Sequence, residues 1–153
     1  MEVPRPIEQV GDPGIRDAEE ILLRIRQDEA ESDEARIRYR VEGLPGIDVH
    51  GLAAERLRPG EAAIDVRSAA VITRHPLGDG TDELAGQLVL TTQRLLVVGH
   101  APLDVELGDI DELTLAGERL LVTLRDGTGL SINASRPRLL RVQIAALREA
   151  AGA

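Results

Sequence analysis

The sequence predicts a mainly β protein of the α+β class, a seven-stranded antiparallel sheet closed by a C-terminal helix and preceded by a helical extension. Three observations carry this. From Glu61 onward short apolar runs alternate with Gly, Asn and Asp turn signals, the pattern of hairpin-connected strands. Leu140, Ile144 and Leu147 then recur at i, i+4 and i+7, one face of a helix. Charge is also uneven: residues 1–56 hold 8 Arg and 14 acids, and residues 57–153 hold 10 Arg and 13 acids. The first part therefore carries −6 of the net −9, and we divide the chain into an extension at 1–56 and a domain at 57–153.

Residues 1–14 concentrate chain breakers, Pro4, Pro6, Gly11, Pro13 and Gly14, and read as a flexible arm. A helix opens at Asp17 as N-cap, with Glu19 and Glu20 favourable to the dipole and Ala18, Ile21, Leu22 and Ile25 on one face. Residues 27–34 are acidic and poor in apolar side chains, either the exposed continuation of that helix or a linker. In Arg36-Ile37-Arg38-Tyr39-Arg40-Val41 apolar residues alternate strictly with arginines. Period two predicts a short strand with Ile37, Tyr39 and Val41 inward; a continued helix is the competing reading. Gly43, Pro45 and Gly46 break the chain, and residues 48–58 form a short helix ended by Pro59-Gly60.

The first strand, 62–73, sets Ile64 and Val66 opposite Asp65 and Arg67. After a polar loop come strands at 86–90 and 94–98, the latter with Leu95, Leu96, Val97 and Val98 apolar on both faces and therefore interior to the sheet. Strand 103–107 turns Leu103, Val105 and Leu107 inward and leaves Asp104 and Glu106 in water. Strands 110–115, 119–125 and 128–133 follow, the last two joined by the hairpin dipeptide Asp126-Gly127. Ser135 as N-cap and Pro137 in the first turn open the final helix.

Composition removes several function classes. A net charge of −9 repels nucleic-acid phosphates, and without Phe or Trp there are no stacking platforms for bases. With no Cys there is no disulfide, thiolate nucleophile or Cys-ligated zinc. The N-terminus lacks the apolar core of a signal peptide and no run approaches a membrane span, so a cytoplasmic protein is expected. The exclusive use of Arg for positive charge reads as genome composition.

Residues 86–98, Gly-Gln-Leu-Val-Leu-Thr-Thr-Gln-Arg-Leu-Leu-Val-Val, resemble the second-strand, turn and third-strand signature of the pleckstrin-homology (PH) superfold, in its GRAM and bacterial PH-like branches. Residues 105–110 resemble that family's fourth-to-fifth strand crossing, and 121–130, through Arg125-Asp126-Gly127, its sixth and seventh strands. The likeness spans nearly all of 57–153 and implies a seven-stranded PH-like barrel capped by its C-terminal helix. It also implies a non-enzymatic binding or adaptor module that engages a protein partner or a second copy of itself. The alternative is a peripheral membrane module for an anionic lipid head group. In lipid-binding relatives the ligand sits at the open barrel end, which on this chain offers Arg74, His75, His100 and Arg125. Here the second strand shows Gln87 where the lipid-binding pattern has a cation, and the first loop holds Asp79, Asp82 and Glu83.

Residue by residue, catalysis and cofactors find little footing. His75 and His100 have no metal-ligand spacing, so no metal and no cofactor are expected. Asp109, Asp111 and Glu112, like the acids of the first loop, read as solvated turn clusters. Ser68, Ser131 and Ser135 lack a nucleophile motif, and the glycines at 78 and 80 lead into a strand where a phosphate-binding loop leads into a helix. The Arg36, Arg38 and Arg40 stripe is the candidate partner surface. It would dock on acidic barrel faces such as Asp104 and Glu106, shield an edge strand, or meet an acidic partner.

Overall fold

The computed structural model describes residues 13–78, 80–99 and 101–152. Its elements are α1 (Pro13–Glu42), α2 (Leu52–Arg56), β1 (Ala63–His75), β2 (Asp82–Thr91), β3 (Arg94–Val98) and β4 (Leu103–Glu106). A 3-10 turn (Leu107–Asp109) then leads to β5 (Ile110–Ala116), β6 (Arg119–Leu124), β7 (Gly129–Ala134) and α3 (Pro137–Ala150). The seven strands form one antiparallel sheet in the order β4-β3-β2-β1-β7-β6-β5, with β1 paired to both β2 and β7. The sheet curls into a half-barrel. Within the described residues β4 and β5 remain its two edges, where the PH-like resemblance had implied a barrel.

The core fills the concavity with aliphatic side chains. Ile72, Leu88, Leu90, Val97, Ile110, Leu120, Val122 and Ile132 meet Leu140, Ile144 and Leu147 of α3, the helical stripe expected from the sequence. Leu96 and Val89 face the other side of the sheet, where they pack on Ala53 of α2 and on Ala63, so β3 is buried on both faces, as expected. The bridge Ile47–Ala63 and the packing of Ala53 tie residues 47–56 to the sheet. No helix among the described residues is long and apolar enough to cross a membrane.

The tight turns follow their sequence signals. Asp126 Oδ1 accepts from the N–H and hydroxyl of Thr128, and Gly127 takes the positive φ of 91° that the Asp-Gly hairpin needs. Gly86 is required by close approach: a Cβ there would stand 2.6 Å from the Val98 carbonyl oxygen on β3.

Three expectations are corrected. Residues 36–41 are not a strand but the end of α1, which runs unbroken from Pro13, so Asp17 is not its cap. A helix satisfies these backbone groups internally. It buries Asp28, Ser32 and Ala35 and half-buries Tyr39, spaced 4, 3 and 4 residues apart along one stripe. Ala35 and Tyr39 pack there on Leu139 and Val142 of α3, whereas Ile37 and Val41 face solvent. Secondly, Arg67 is 3% exposed instead of outward, because register breaks flank it on β1, between Ala63 and Asp65 and between Arg67 and Ala70. Thirdly, Ser135 does not cap α3. Arg136, in the left-handed region, precedes the helix, and the side-chain cap comes from α1, as shown below.

Candidate functional site

The loops at one barrel end place the lipid-type candidates. Arg74 and His75 close β1, His75 lies opposite Gly129, and Leu77 approaches Gly127, so the β1–β2 and β6–β7 connections share this end. Arg74 is paired with Asp82 across the β1–β2 ladder. His75 is exposed; Arg125 is exposed and its backbone N–H donates to the Asp109 carbonyl at 2.9 Å. His100 and Asp79 lie outside the described residues, as do residues 1–12 of the arm expected at 1–14, whose last two residues, Pro13 and Gly14, instead begin α1. Among the described residues no three His, Asp or Glu side chains are placed to share a metal ion. Asp82 thus meets Arg74, and among the described residues no fork of arginines converges there.

A different set of arginines does converge. The end of α1, the last turns of α3 and edge strand β5 enclose an open groove of about 960 Å³. Arg36, Arg40, Arg141 and Arg148 line it, with Tyr39, Leu44, Leu113 and Val142 as its apolar surface and Asp111, Glu112 and Glu149 as its carboxylates. Helical geometry explains why Arg36 and Arg40 share this side, one turn apart, while Arg38 turns away and lies 5.4 Å from the Tyr39 ring centroid. Arg40 and Arg141 form no ion pair among the described residues; Arg36 holds Asp33 at 3.1 Å. Arg148 donates from Nη2 to the Ile110 carbonyl at 2.8 Å, at the start of that edge, and its buried Nε has no partner among the described residues. Among the described residues strand β5 pairs with β6 alone, and no strand covers its outer edge.

The expected docking of the Arg36, Arg38 and Arg40 series on Asp104 and Glu106 does not occur. Asp104 receives Arg94 Nη1 at 2.6 Å with Arg56 at 3.7 Å, and Glu106 is paired with Arg58. Those acids sit on the opposite edge of the sheet, out of reach of α1.

Three buried polar clamps hold the frame, and of these the sequence points only to the first, in which Arg94 meets a nearby carboxylate and carbonyl. Arg94 grips both oxygens of Glu61, donates to Arg56 O at 2.5 Å and so ties the chain before β1 to β3. Burial pushes the Glu61 carboxyl up, but hydrogen bonds from Arg94, the Thr91 hydroxyl and the Arg58 backbone outweigh it and hold the pKa at about 2. Arg67 donates to the carbonyls of Ser135 and Arg136 at 2.7 and 3.0 Å and to Asp65 at 2.9 Å, fixing the entry to α3. Asp28 of α1 accepts the backbone N–H groups of Arg138 at 2.8 Å and Leu139 at 3.0 Å, capping α3 from another helix. An arginine following Leu-Thr-Thr signals the first clamp. The other two join residues 68 to 111 positions apart, which no local pattern reveals.

The chain matches no protein-family model and no curated protein. Among solved structures, the C-terminal domain of an unknown protein from Leishmania infantum is similar at 17% identity and a TM-score of 0.43, over 60% of this chain and 84% of that one. By its own architecture, a curled seven-stranded antiparallel sheet with a C-terminal helix against its core, this chain fits a PH-like fold.

Proposed function

We propose that the chain is a non-enzymatic PH/GRAM-like binding or adaptor module whose protein partner lies in the groove between α1, α3 and β5. The observation that carries the reading is the juxtaposition there of four guanidinium groups, an apolar floor and an unpaired strand edge. An extended segment laid along β5 satisfies its outward backbone groups beyond Asp111, where Arg148 no longer occupies the edge, while its side chains meet Tyr39, Leu113 and Val142. Carboxylates on that segment face Arg40 and Arg141, which have no ion-pair partner among the described residues. The lipid alternative draws less support, since Arg74 is neutralised by Asp82 and a charge of −9 opposes an anionic surface.

Panning a displayed random-peptide library against the full chain tests the proposal. Enriched peptides should contain acidic and apolar residues and lose binding to Arg40→Glu and to Ala145→Trp, which fills the groove from an exposed position. Arg74→Glu, on β1 three strands away from β5 in the sheet, should bind them normally. No enrichment, or peptides indifferent to both groove variants, would refute it.

A further inference from the structure

The face of α1 turned away from α3 carries large apolar side chains in water. Leu23 is 56% exposed, Ile37 67% and Val41 81%, with exposed Ala30 midway between Leu23 and Ile37. At about 100° per residue, Leu23, Ala30 and Ile37 fall on one line, opposite the docked stripe of Asp28, Ser32, Ala35 and Tyr39. Solvent-facing Leu23, Ala30 and Ile37, at successive seven-residue steps, form a helix-pairing seam, and its symmetry identifies the occupant.

We propose that two copies of the chain pair through this face, with their α1 helices antiparallel and the two-fold axis passing at Ala30. In that arrangement Leu23 of each copy meets Ile37 of the other, and the small Ala30 side chains meet at the crossing. Arg26 comes within one residue of level with Asp33 of the second copy, on the same flank of the seam. Each contact away from the axis occurs twice, as a two-fold interface demands. Arg26 takes part in no ion pair among the described residues, so its charge is free to serve it, and Asp33, which holds Arg36 at 3.1 Å, would be shared between the two. A parallel pair matches poorly: it sets Asp33 beside Glu34 of the second copy on both flanks and leaves Arg26 facing Gln27. Charge complementarity therefore selects both the partner and its direction. Arg36 and Arg40, which line the groove, lie off the seam on one flank of α1, so pairing leaves the groove open.

Sedimentation of the full chain over a concentration series provides the test. A monomer–dimer equilibrium is expected. Leu23→Asp and Ile37→Asp should each abolish the dimer without changing the helical circular dichroism or the melting temperature of the monomer, because both side chains are exposed. Arg26→Glu should weaken the dimer about tenfold by setting like charges against Asp33 twice. Asp33→Arg should then restore it in the double variant. Orientation is read on the natural cysteine-free background. An equal mixture of Leu23→Cys and Ile37→Cys chains should form mixed disulfides, whereas Leu23→Cys alone should not. Its two copies stand about 21 Å apart in the antiparallel pair, beyond the roughly 7 Å Cα limit of a disulfide. A chain that stays monomeric at every concentration, a dimer indifferent to Leu23→Asp, or efficient cross-linking of Leu23→Cys to itself would overturn the proposal.

Discussion

Replacing Asp28 by Ala removes the cap on α3 from a residue that is 110 positions away in the chain. The carboxylate is 3% exposed and accepts two backbone N–H groups, from Arg138 and Leu139, while the Arg138 side chain lies 3.4 Å away. The Leu139 N–H is buried and finds no substitute, at a cost of about 2 kcal/mol for an unsatisfied donor. The Arg138 N–H is only partly buried and recovers water, so its loss costs about 1 kcal/mol. The sum, about 3 kcal/mol, is a large share of the roughly 5–15 kcal/mol that stabilises a typical domain. Urea unfolding at neutral pH measures it, with the midpoint falling at unchanged slope. Asp28→Asn keeps one oxygen for Leu139 but turns an NH₂ toward Arg138, so it should fall between wild type and Ala. Ser135→Ala is the counter-test. Ser135 is exposed and offers its carbonyl to Arg67 but no side-chain cap to α3, so its loss should cost under about 0.5 kcal/mol. A loss below about 0.5 kcal/mol for Asp28→Ala, or a larger one for Ser135→Ala, would refute the interhelical cap.

Glu61, depressed from 4.5 to about 2 in the folded chain, contributes stability that is present above its unfolded value and lost as pH falls from about 4.5 to 2. The difference is worth about 3 kcal/mol by linkage, and Glu61→Gln should flatten that limb of the acid-unfolding curve; an unchanged limb would contradict the assignment. Gly86→Ala should destabilise by about 2 kcal/mol or more, because its Cβ meets the backbone oxygen of Val98 at 2.6 Å. Gly108→Ala, in open space, should be nearly neutral in the same melt. Arg74→Glu combined with Arg125→Glu should leave co-sedimentation with anionic vesicles unchanged, and a large loss of retention would restore the lipid reading.

What was legible in the sequence was what the chain states locally. Period-two strands, the Asp126-Gly127 hairpin and the i, i+4, i+7 stripe of α3 each sit within a few residues, and the Thr91–Arg94 turn announces its own hydrogen bonds. Arg67 misled because strand parity holds only while the register does, and two breaks in β1 bring that side chain inside. The groove was half legible. Arg36 and Arg40 stood out, but as strand neighbours of Arg38, and their company with Arg141 and Arg148 exists only once α1 lies along α3.

The misreading of α1 has a physical cause that also bears on its function. A helix is recognised when its buried stripe is apolar, yet here the stripe against α3 is Asp28, Ser32, Ala35 and Tyr39, chosen for capping and close fit. The large aliphatic side chains that ordinarily mark the inward face lie instead on the outward one. Period analysis therefore sees no amphipathic helix through residues 27–41, although the element is 30 residues long and continuous. Exposed Leu and Ile cost solubility unless something covers them, and a monomer with a polar buried seam and an apolar exposed one is the pattern expected of a helix with two partners. One is α3 within the chain. The other, on the symmetry of Leu23, Ala30 and Ile37 about a single point, is a second α1.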